Sequence, residues 1–330
     1  MKCTNKFYRR VVTILLSACM VLSLTACSGR KFDMPYGSNI TTSSFKVSPG
    51  GEEQFAESFA SDICIVTADV LADGGVDMSG AGAGVLFDID NGEVLYSVNA
   101  HERLHPASLT KVMTAIVALK YGSYDQVLTA SKVVNIDESG AQLCGLKVGD
   151  TMTLNQALHI LLMYSANDVA MMIAEGVGGT VDHFIELMNE EAKALGATNS
   201  HFANPHGLTA EDHYTTAYDL YLIFNEAIKN EKFLEIIQKT NYETVFYDKN
   251  GGEKAVSYTT TNLFLRGDYK APEKVSVVGG KTGTTNAAGH CLMILSKDTA
   301  GKPYISIVLR SESRDLLYTE MTDLLDEINK

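Results

Sequence analysis

Beyond about residue 80, strand-like patterns lie at the two ends of the chain and helical patterns lie between them. Val85–Ile89 and Val94–Val98 flank Asn91-Gly92, which is the strongest short signal for a β-hairpin. Three more strand-like runs follow near the C terminus, at Val275–Val278, Cys291–Leu295 and Tyr304–Leu309. Because strands and helices are segregated along the chain, the pattern predicts an α+β fold whose terminal strands meet in one mostly antiparallel sheet.

Apolar residues that recur at three- and four-residue intervals predict the helices. In Leu109–Val117 they fall at i, i+3, i+4, i+7 and i+8 and form one stripe. Pro106 precedes this stretch, as is common where a helix begins. The same reasoning predicts four more helices, at Leu154–Met163, Val169–Glu175, Val181–Leu195 and Asp315–Ile328.

The composition fits a protein with a large core and no nucleic-acid partner. Of the 330 residues, 45% are apolar, which suffices for a sizeable core. The 27 Lys and Arg residues and the 40 Asp and Glu residues give a net charge of −13. Because so acidic a chain does little to neutralise phosphates, binding to nucleic acid is not expected.

The N-terminal residues have the pattern of an export signal. A basic head precedes the apolar run Val11–Ala26, which is typical of a secretory signal peptide and too short for a permanent membrane-spanning helix. The run ends in Leu24-Thr25-Ala26-Cys27, which resembles the lipobox of bacterial lipoproteins. This resemblance implies cleavage before Cys27 and attachment of a diacylglyceryl group to it, so that two acyl chains hold the protein on the membrane. An ordinary signal peptide that ends near a cysteine is the alternative.

The sequence divides into four predicted segments. Residues 1–26 form the lipoprotein signal peptide, and residues 27–51, rich in Ser, Gly and Thr, form a flexible tether. Residues 52–79 are transitional and include a possible strand at Ile63–Val66, and residues 80–330 form the main domain. The protein is therefore expected outside the cytoplasm, lipid-anchored to the bacterial cell membrane.

Ser108 and Lys111 lie three residues apart where the first predicted helix begins, and this spacing makes them neighbours on one helix face. A serine hydroxyl needs a base beside it to act as a nucleophile, and a lysine with a lowered pKa can be that base. The pair alone is weak evidence, since Ser-x-x-Lys is expected about once by chance in such a chain. A helix-capping serine with a solvent-facing lysine is the alternative.

Two further elements make the pattern specific. Ser165-Ala166-Asn167 lies where one predicted helix ends and the next begins, and Lys281-Thr282-Gly283 follows a predicted strand. The order Ser-x-x-Lys, Ser-x-Asn, Lys-Thr-Gly is a signature of serine enzymes that react with penicillin.

On these residues the chain resembles the D-alanyl-D-alanine carboxypeptidases, which are low-molecular-weight serine-type penicillin-binding proteins. The resemblance covers about residues 80–330, and the segments that carry it are Pro106–Lys111, Ser165–Val169, Phe202–Leu208, His213–Asp219 and Gly280–Gly289. It implies the fold shared with β-lactamases, in which helices flank an antiparallel sheet and the site lies between the sheet and a helical lobe. It also implies hydrolysis of the terminal D-Ala-D-Ala bond of peptidoglycan stem peptides in cell-wall remodelling, without a cofactor.

Carried over by position, the resemblance implies a role for each motif residue. Ser108 would be the acylated nucleophile, Lys111 its general base and Ser165 a proton relay. Asn167 would hold the peptide amide of the substrate, and Lys281 would add positive charge that attracts its carboxylate.

The strand residues after Lys281 would complete the site. Thr282 and Thr284 would bind the terminal carboxylate through their hydroxyls. Gly283 would let the substrate strand lie close, because a Cβ there would block it. The backbone N–H groups of Ser108 and Thr284 would form the oxyanion hole, and β-lactam antibiotics would act as covalent inhibitors.

The sequence after the Ser-x-Asn element bears on whether the protein could be a β-lactamase. Related β-lactamases hydrolyse their acyl-enzyme with a glutamate on a loop after the Ser-x-Asn element, whereas here only Glu211 and Asp212 are available, outside that pattern. Efficient β-lactamase activity is therefore not expected.

His201, His206 and His213 lie close together in the sequence, and a zinc site is therefore an alternative interpretation. No His-Glu-x-x-His motif accompanies them, so no metal is expected.

Other functions stay open at this point. The protein could be a D,D-endopeptidase that acts on cross-links, or a non-catalytic envelope module that binds peptidoglycan peptides. The presence of both Ser108 and Lys111 favours an enzyme over a binding module. A general serine esterase is disfavoured, because no Gly-x-Ser-x-Gly sequence surrounds Ser108.

Overall fold

The computed structural model describes residues 63–72 and 76–330, together with two short strands in the preceding chain, β1 (Phe45–Lys46) and β2 (Phe55–Ala56). The predicted signal peptide and its lipid site Cys27 lie outside the described residues. These two predictions therefore stay predictions.

The chain separates into two compact units, residues 1–59 and residues 60–330. In the first unit, β1 and β2 pair antiparallel. All elements below belong to the second unit. Of the residues that the structure describes, none lies in a helix long and apolar enough to cross a membrane.

The strands of the second unit are β3 (Ala83–Asp88), β4 (Glu93–Val98), β5 (Val127–Thr129), β6 (Thr151–Thr153), β7 (Asn241–Tyr247), β8 (Glu253–Thr259), β9 (Ser276–Thr285), β10 (Gly289–Lys297) and β11 (Pro303–Ser311). Its α-helices are α1 (Thr110–Tyr121), α2 (Leu154–His159), α3 (Asn167–Gly178), α4 (Val181–Ala194), α5 (Ala217–Ala227), α6 (Glu231–Ile237), α7 (Leu263–Arg266) and α8 (Arg314–Asp326).

The main sheet has the strand order β4-β3-β11-β10-β9, and every neighbouring pair is antiparallel. Strands from the two ends of the unit meet where β3 pairs with β11, with Val85 opposite Ile307. Asn91-Gly92 joins β3 to β4, and Gly92 has a φ of 67°, the left-handed conformation that such a hairpin turn requires. The predicted α+β class with one antiparallel sheet is confirmed.

Helices cover both faces of this sheet. Side chains alternate along β3: Val85 and Phe87 join the core shared with the helical lobe, and Leu86 joins a second core under α8. The five predicted helices are confirmed as α1, α2, α3, α4 and α8, with boundaries that differ by a few residues. The predicted helix Leu154–Met163 begins as α2 and continues as a π-helical turn, Ile160–Tyr164.

The structure adds a second sheet that the sequence patterns did not predict. It has the strand order β5-β6-β7-β8 and is antiparallel throughout. Strands β5 and β6 contain three residues each. In β7 only Phe246 is buried, so the strand presents little of the apolar signal from which strands are predicted.

The strand predicted at Ile63–Val66 is wrong. The Cys64 N–H donates to the Tyr221 hydroxyl at 2.8 Å, and the Tyr218 hydroxyl donates to the Cys64 carbonyl at 3.0 Å. Two tyrosines of α5 thus satisfy the backbone groups that a neighbouring strand would otherwise pair. Further along the chain, Val70 contacts the main sheet through an isolated antiparallel bridge to Ser97 of β4.

Candidate active site

Ser108 lies in the short 3-10 turn Ala107–Leu109 that leads into α1. Ala107 has a φ of 47°, a left-handed conformation that is strained for a residue with a Cβ. The fully buried side chain of Leu109 anchors the turn in the core. The strained turn thus holds Ser108 at the surface of a cleft while its neighbours stay buried.

A chain of hydrogen bonds from His213 holds this turn. His213 Nδ1 accepts the Ala203 N–H at 3.0 Å, so its Nε2 carries the hydrogen and donates to Thr110 Oγ1 at 2.8 Å. The Thr110 hydroxyl in turn donates to the Ala107 carbonyl at 2.8 Å. Burial lowers the pKa of His213 to about 4, so the ring stays neutral at pH 7 and keeps this tautomer.

Lys111 is completely buried beneath Ser108, which rules out the alternative of a solvent-facing lysine. Its Nζ lies 2.6 Å from Asn167 Oδ1, 2.6 Å from the His206 carbonyl and 2.9 Å from Ser108 Oγ. The first two partners can only accept. A neutral lysine has two N–H bonds and one lone pair, so the lone pair faces Ser108 Oγ and can receive its proton.

The surroundings of Lys111 favour this neutral form. Burial lowers its pKa well below the usual value, and the charge of nearby Lys281 lowers the pKa further, while Asp168 opposes both effects. A lysine whose pKa is lowered in this way is suited to act as a general base for a serine.

The Ser165-Ala166-Asn167 element follows the π-helical turn Ile160–Tyr164. The Ser165 N–H donates to the Ile160 carbonyl at 3.1 Å, five residues back, and Ser165 has a φ of 69°. Such π-turns and left-handed residues often occur at functional sites. This local strain turns Ser165 and Asn167 towards the same cleft as Ser108.

Lys281 lies on β9 and is 1% exposed. Its Nζ donates to Ser165 Oγ at 2.9 Å and to the Thr282 carbonyl at 2.9 Å. Because Ser165 Oγ accepts from Lys281, the Ser165 hydroxyl hydrogen is free for another acceptor. Burial lowers the pKa of Lys281 to about 7, so this lysine changes charge near neutral pH.

Strand β9 lies close to the serine because it carries Gly283. A Cβ at this position would lie 3.0 Å from the Ser108 nitrogen and 3.1 Å from the Pro106 carbonyl oxygen. The Ser108 N–H therefore lies beside β9, as the predicted oxyanion hole requires.

The two threonines of β9 have side-chain partners. The Thr282 hydroxyl donates to Thr261 Oγ1 at 2.6 Å, and Thr284 Oγ1 lies 3.2 Å from His290 Nδ1.

The structure brings all the predicted site residues of the domain together. A cleft of about 400 Å³ is lined by six of them, Ser108, Ser165, Asn167, Thr282, Gly283 and Thr284. Lys111 and Lys281 lie buried beneath it. No acidic side chain is among the described residues that line the cleft.

The sequence reasoning missed several residues of this cleft. Arg266 ends α7 and Arg314 begins α8, and both line it. Neither belongs to a recognisable motif, so only the packing of the helices reveals them. Gln142 also lines the cleft, and its carbonyl accepts the Asn167 N–H at 2.8 Å.

The three clustered histidines serve the scaffold. His206 Nδ1 accepts the Leu208 N–H at 3.1 Å, and burial lowers the pKa of His206 to about 3. His201 Nδ1 donates to the Asp212 carbonyl at 2.6 Å, and His213 holds the turn before Ser108. Within the described part of the chain, no three His, Cys, Asp or Glu residues form a group that could hold a metal ion.

Gly207→Ala is expected to destabilise the protein strongly. Gly207 has a φ of 89°, and an added Cβ would lie 1.8 Å from the Ala107 carbonyl oxygen. We expect a loss of about 3 kcal/mol in the free energy of unfolding, measured by urea unfolding. Gly251 is the control, because it has a φ of 80° with no atom within 4 Å of an added Cβ. Gly251→Ala should cost only about 1 kcal/mol, and equal losses in both variants would contradict the steric argument.

Comparisons with known proteins agree with this site. The family model described as D-alanyl-D-alanine carboxypeptidase matches residues 74–313. The carboxypeptidase DacF of Bacillus subtilis (strain 168) is 32% identical over 250 residues, which are 74% of this chain and 61% of that protein. DacC of Escherichia coli (strain K12) is 32% identical over 254 residues, or 74% of this chain and 60% of its own length. The chain thus spans about three fifths of these relatives.

Solved structures share the fold. The Streptomyces K15 DD-transpeptidase superposes with a TM-score of 0.69 at 29% identity, over 75% of this chain and 96% of its own. Penicillin-binding protein D2 from Listeria monocytogenes, in its cefotaxime-bound form, gives a TM-score of 0.63 at 27% identity, over 76% of this chain and 98% of its own. With the family model matched over most of the domain and the three motifs gathered in one cleft, the chain belongs to the D-alanyl-D-alanine carboxypeptidase family.

Proposed function

We propose that the protein is a serine-type D-alanyl-D-alanine carboxypeptidase that removes the terminal D-Ala from peptidoglycan stem peptides. The observation that carries the proposal is the contact of the buried Lys111 Nζ with Ser108 Oγ at 2.9 Å. Two acceptors occupy the N–H groups of Lys111, which leaves its lone pair for the serine proton. A module that only binds peptides has no need for a base arranged in this way.

The proposed acylation begins at Ser108. Ser108 Oγ attacks the carbonyl carbon of the penultimate D-Ala while its proton passes to Lys111. The N–H groups of Ser108 and Thr284 stabilise the oxyanion. Ser165 passes its hydroxyl proton to the amine of the leaving D-Ala and takes a proton in return from Lys281, which donates a hydrogen bond to it. Water then hydrolyses the acyl-enzyme.

The cleft also suits the charge of this substrate. A peptide that ends in D-Ala-D-Ala has a terminal carboxylate, for which Thr282 and Thr284 offer hydroxyl groups at the cleft surface. Arg266 and Arg314 line the same cleft, and no acid is among its described lining residues. This positive site within an acidic protein attracts an anionic substrate.

The test is release of D-Ala from a peptide ending in D-Ala-D-Ala. A peptide of the same sequence ending in D-Ala-L-Ala is the stereochemical control, and a cross-linked dimer of the stem peptide is tested in parallel. Release from the D-Ala-D-Ala peptide alone supports the carboxypeptidase. Cleavage of the cross-linked dimer alone would replace it with the endopeptidase, and binding without cleavage of either would replace it with the non-catalytic module.

β-Lactams are proposed to acylate Ser108 and to leave slowly. The similar Listeria protein was solved in a cefotaxime-bound form. Neither Glu211 nor Asp212 is among the residues lining the cleft of this chain, so neither can activate water there. We expect a long-lived acyl-enzyme, detected as a stable mass increase on incubation with penicillin.

The Michaelis constant for D-Ala-D-Ala peptides is expected to rise as the pH increases through about 7. Lys281, whose pKa burial lowers to about 7, is an ammonium below this pH and neutral above it, so its attraction for the carboxylate disappears as the pH rises. We expect an increase of about tenfold, measured by steady-state kinetics. A peptide with a C-terminal amide should show no such increase. If the Michaelis constant for the peptide with a free carboxylate did not change with pH, the role of Lys281 would be contradicted.

We propose further that the mature protein lies outside the cytoplasm, attached to the membrane through a lipid on Cys27. The support is the basic and apolar N-terminal pattern that ends in Leu24-Thr25-Ala26-Cys27. The mass of the mature N-terminal peptide tests this. A diacylglyceryl cysteine is expected, and an unmodified N terminus elsewhere would overturn it.

A further inference from the structure

Asp168 follows directly after Asn167 and is 1% exposed. One carboxylate oxygen accepts the Cys144 N–H at 2.9 Å, and the other accepts the Gly145 N–H at 2.8 Å and the Leu146 N–H at 3.0 Å. Three successive backbone groups of one loop thus converge on a single buried carboxylate. The catalytic scheme above does not use this residue.

The loop held in this way forms a wall of the cleft. We call residues 140–146 the wall segment, because Gly140, Ala141 and Gln142 line the cleft. The Gln142 carbonyl accepts the Asn167 N–H at 2.8 Å. Two adjacent residues, Asn167 and Asp168, therefore bind the wall segment, one through its backbone and the other through its side chain.

The wall segment has little else to hold it. Six of its seven residues are exposed or half-buried, and only Leu146 is buried. Cys144 Sγ lies 2.8 Å from the Tyr258 hydroxyl, which adds one side-chain contact. Because apolar packing is sparse, the position of the wall segment depends on the carboxylate of Asp168.

The same carboxylate lies near the general base. Lys111 donates to Asn167 Oδ1 at 2.6 Å, so a shift of Asn167 moves the partner that orients Lys111. The charged and titratable groups around Lys111 are Lys281 on β9, His206 and His213 on the loops beside α1, and Asp168 on α3. Asp168 is the acid of this set, and it favours the protonated form of Lys111.

We propose that Asp168 is a positioning residue, whose carboxylate fastens the wall segment to the Ser-Ala-Asn element and thereby holds Asn167 against Lys111. The effect on turnover rests on the proposed carboxypeptidase activity, whereas the fastening itself does not. The inference extends that function by one residue that acts through Asn167 and does not touch the substrate.

Asp168→Asn is the first test, since it keeps the side-chain shape while an N–H₂ group replaces one accepting oxygen. We expect kcat/KM for D-Ala release to fall on the order of 10- to 100-fold, as small misplacements of catalytic groups do. Asp150→Asn is the matched control. Asp150 is 2% exposed, accepts the Lys147 N–H at 2.9 Å and pairs with Lys254 at 2.6 Å, but it does not line the cleft. The control should retain activity within about threefold.

The pH profile separates positioning from mere loss of structure. Without the carboxylate, the pKa of Lys111 falls further, so the neutral base persists to lower pH. The acidic limb of the pH profile of kcat/KM should therefore shift to lower pH in Asp168→Asn and not in Asp150→Asn. A reduced activity with an unmoved limb, in proportion to a loss of folded protein, would show that Asp168 is only structural.

A second readout does not depend on enzyme activity. Alkylation of Cys144 by iodoacetamide, read by peptide mass spectrometry, reports on the wall segment, and the fully buried Cys64 and Cys291 report on global unfolding. We expect faster alkylation of Cys144 alone in Asp168→Asn. Unchanged protection of Cys144 would overturn the proposal, even if the wild-type protein proved unable to release D-Ala.

Discussion

Ser108→Ala is expected to abolish release of D-Ala, with a loss of about 10⁴-fold or more in kcat, because no other group can form the acyl-enzyme. The Ser108 hydroxyl contacts Lys111 Nζ and faces the cleft. Its removal leaves the packing of the Ala107–Leu109 turn intact, so the thermal unfolding midpoint should change little. The measurement is D-Ala release together with covalent labelling by a fluorescent penicillin.

Ser306→Ala is the matched control for this experiment. Ser306 lies on β11 and is fully buried, away from the cleft, and its hydroxyl has no hydrogen-bond partner among the described residues. The control should keep both activity and labelling. If Ser108→Ala retained a tenth of the wild-type release, or were still labelled by penicillin, the nucleophile would have to lie elsewhere in the cleft, with Ser165 the next residue to test.

Lys111→Met is expected to lower the rate of acylation by about 10³-fold or more, because it removes the base and keeps the length of the side chain. In the wild-type protein, kcat/KM should fall as the pH falls through the pKa of Lys111. The protonated amine has no lone pair, so it cannot accept the serine proton. Because burial and Lys281 lower this pKa well below the usual value, activity should persist at neutral pH.

The surface lysine Lys120 lies on the same helix and provides the control. It pairs with Glu191 at the edge of α1, far along the helix from Ser108. Lys120→Met should leave the acylation rate within about twofold, since neither Lys120 nor Glu191 is among the described residues that line the cleft. A wild-type rate that stayed constant from neutral pH up to the usual pKa of lysine and then rose would show that Lys111 is charged in the resting protein and would contradict its role as base.

Local sequence patterns were sufficient to predict most of the main sheet and its helices. The stripe in Leu109–Val117 identified α1, and the Asn91-Gly92 turn identified the β3–β4 hairpin. Both features depend on residues within one or two turns of each other, which is the range over which side-chain periodicity acts. The spacing of Ser108 and Lys111 was likewise visible, because one helical turn brings them together.

Features that depend on distant partners escaped that reasoning. The second sheet brings β6 against β7 across 90 residues or more of sequence, with a register set by the single pair Thr151 and Tyr247. Ile63–Val66 has the composition of a strand, yet tyrosines of α5 occupy its backbone groups. Asp168 follows a recognised motif, but only the folded structure shows that its carboxylate accepts three N–H groups of the wall segment.

The sequence by itself determined the class of fold, the family and the motif residues of the site, because each of these depends on local periodicity or on short motifs. Only the tertiary structure decided the protonation of that site. The pKa of Lys111 depends on complete burial and on Lys281, which lies 170 residues further along the chain. Burial and charge proximity are properties of the packed protein, so the lysine becomes a base only when β9 packs against the turn that leads into α1.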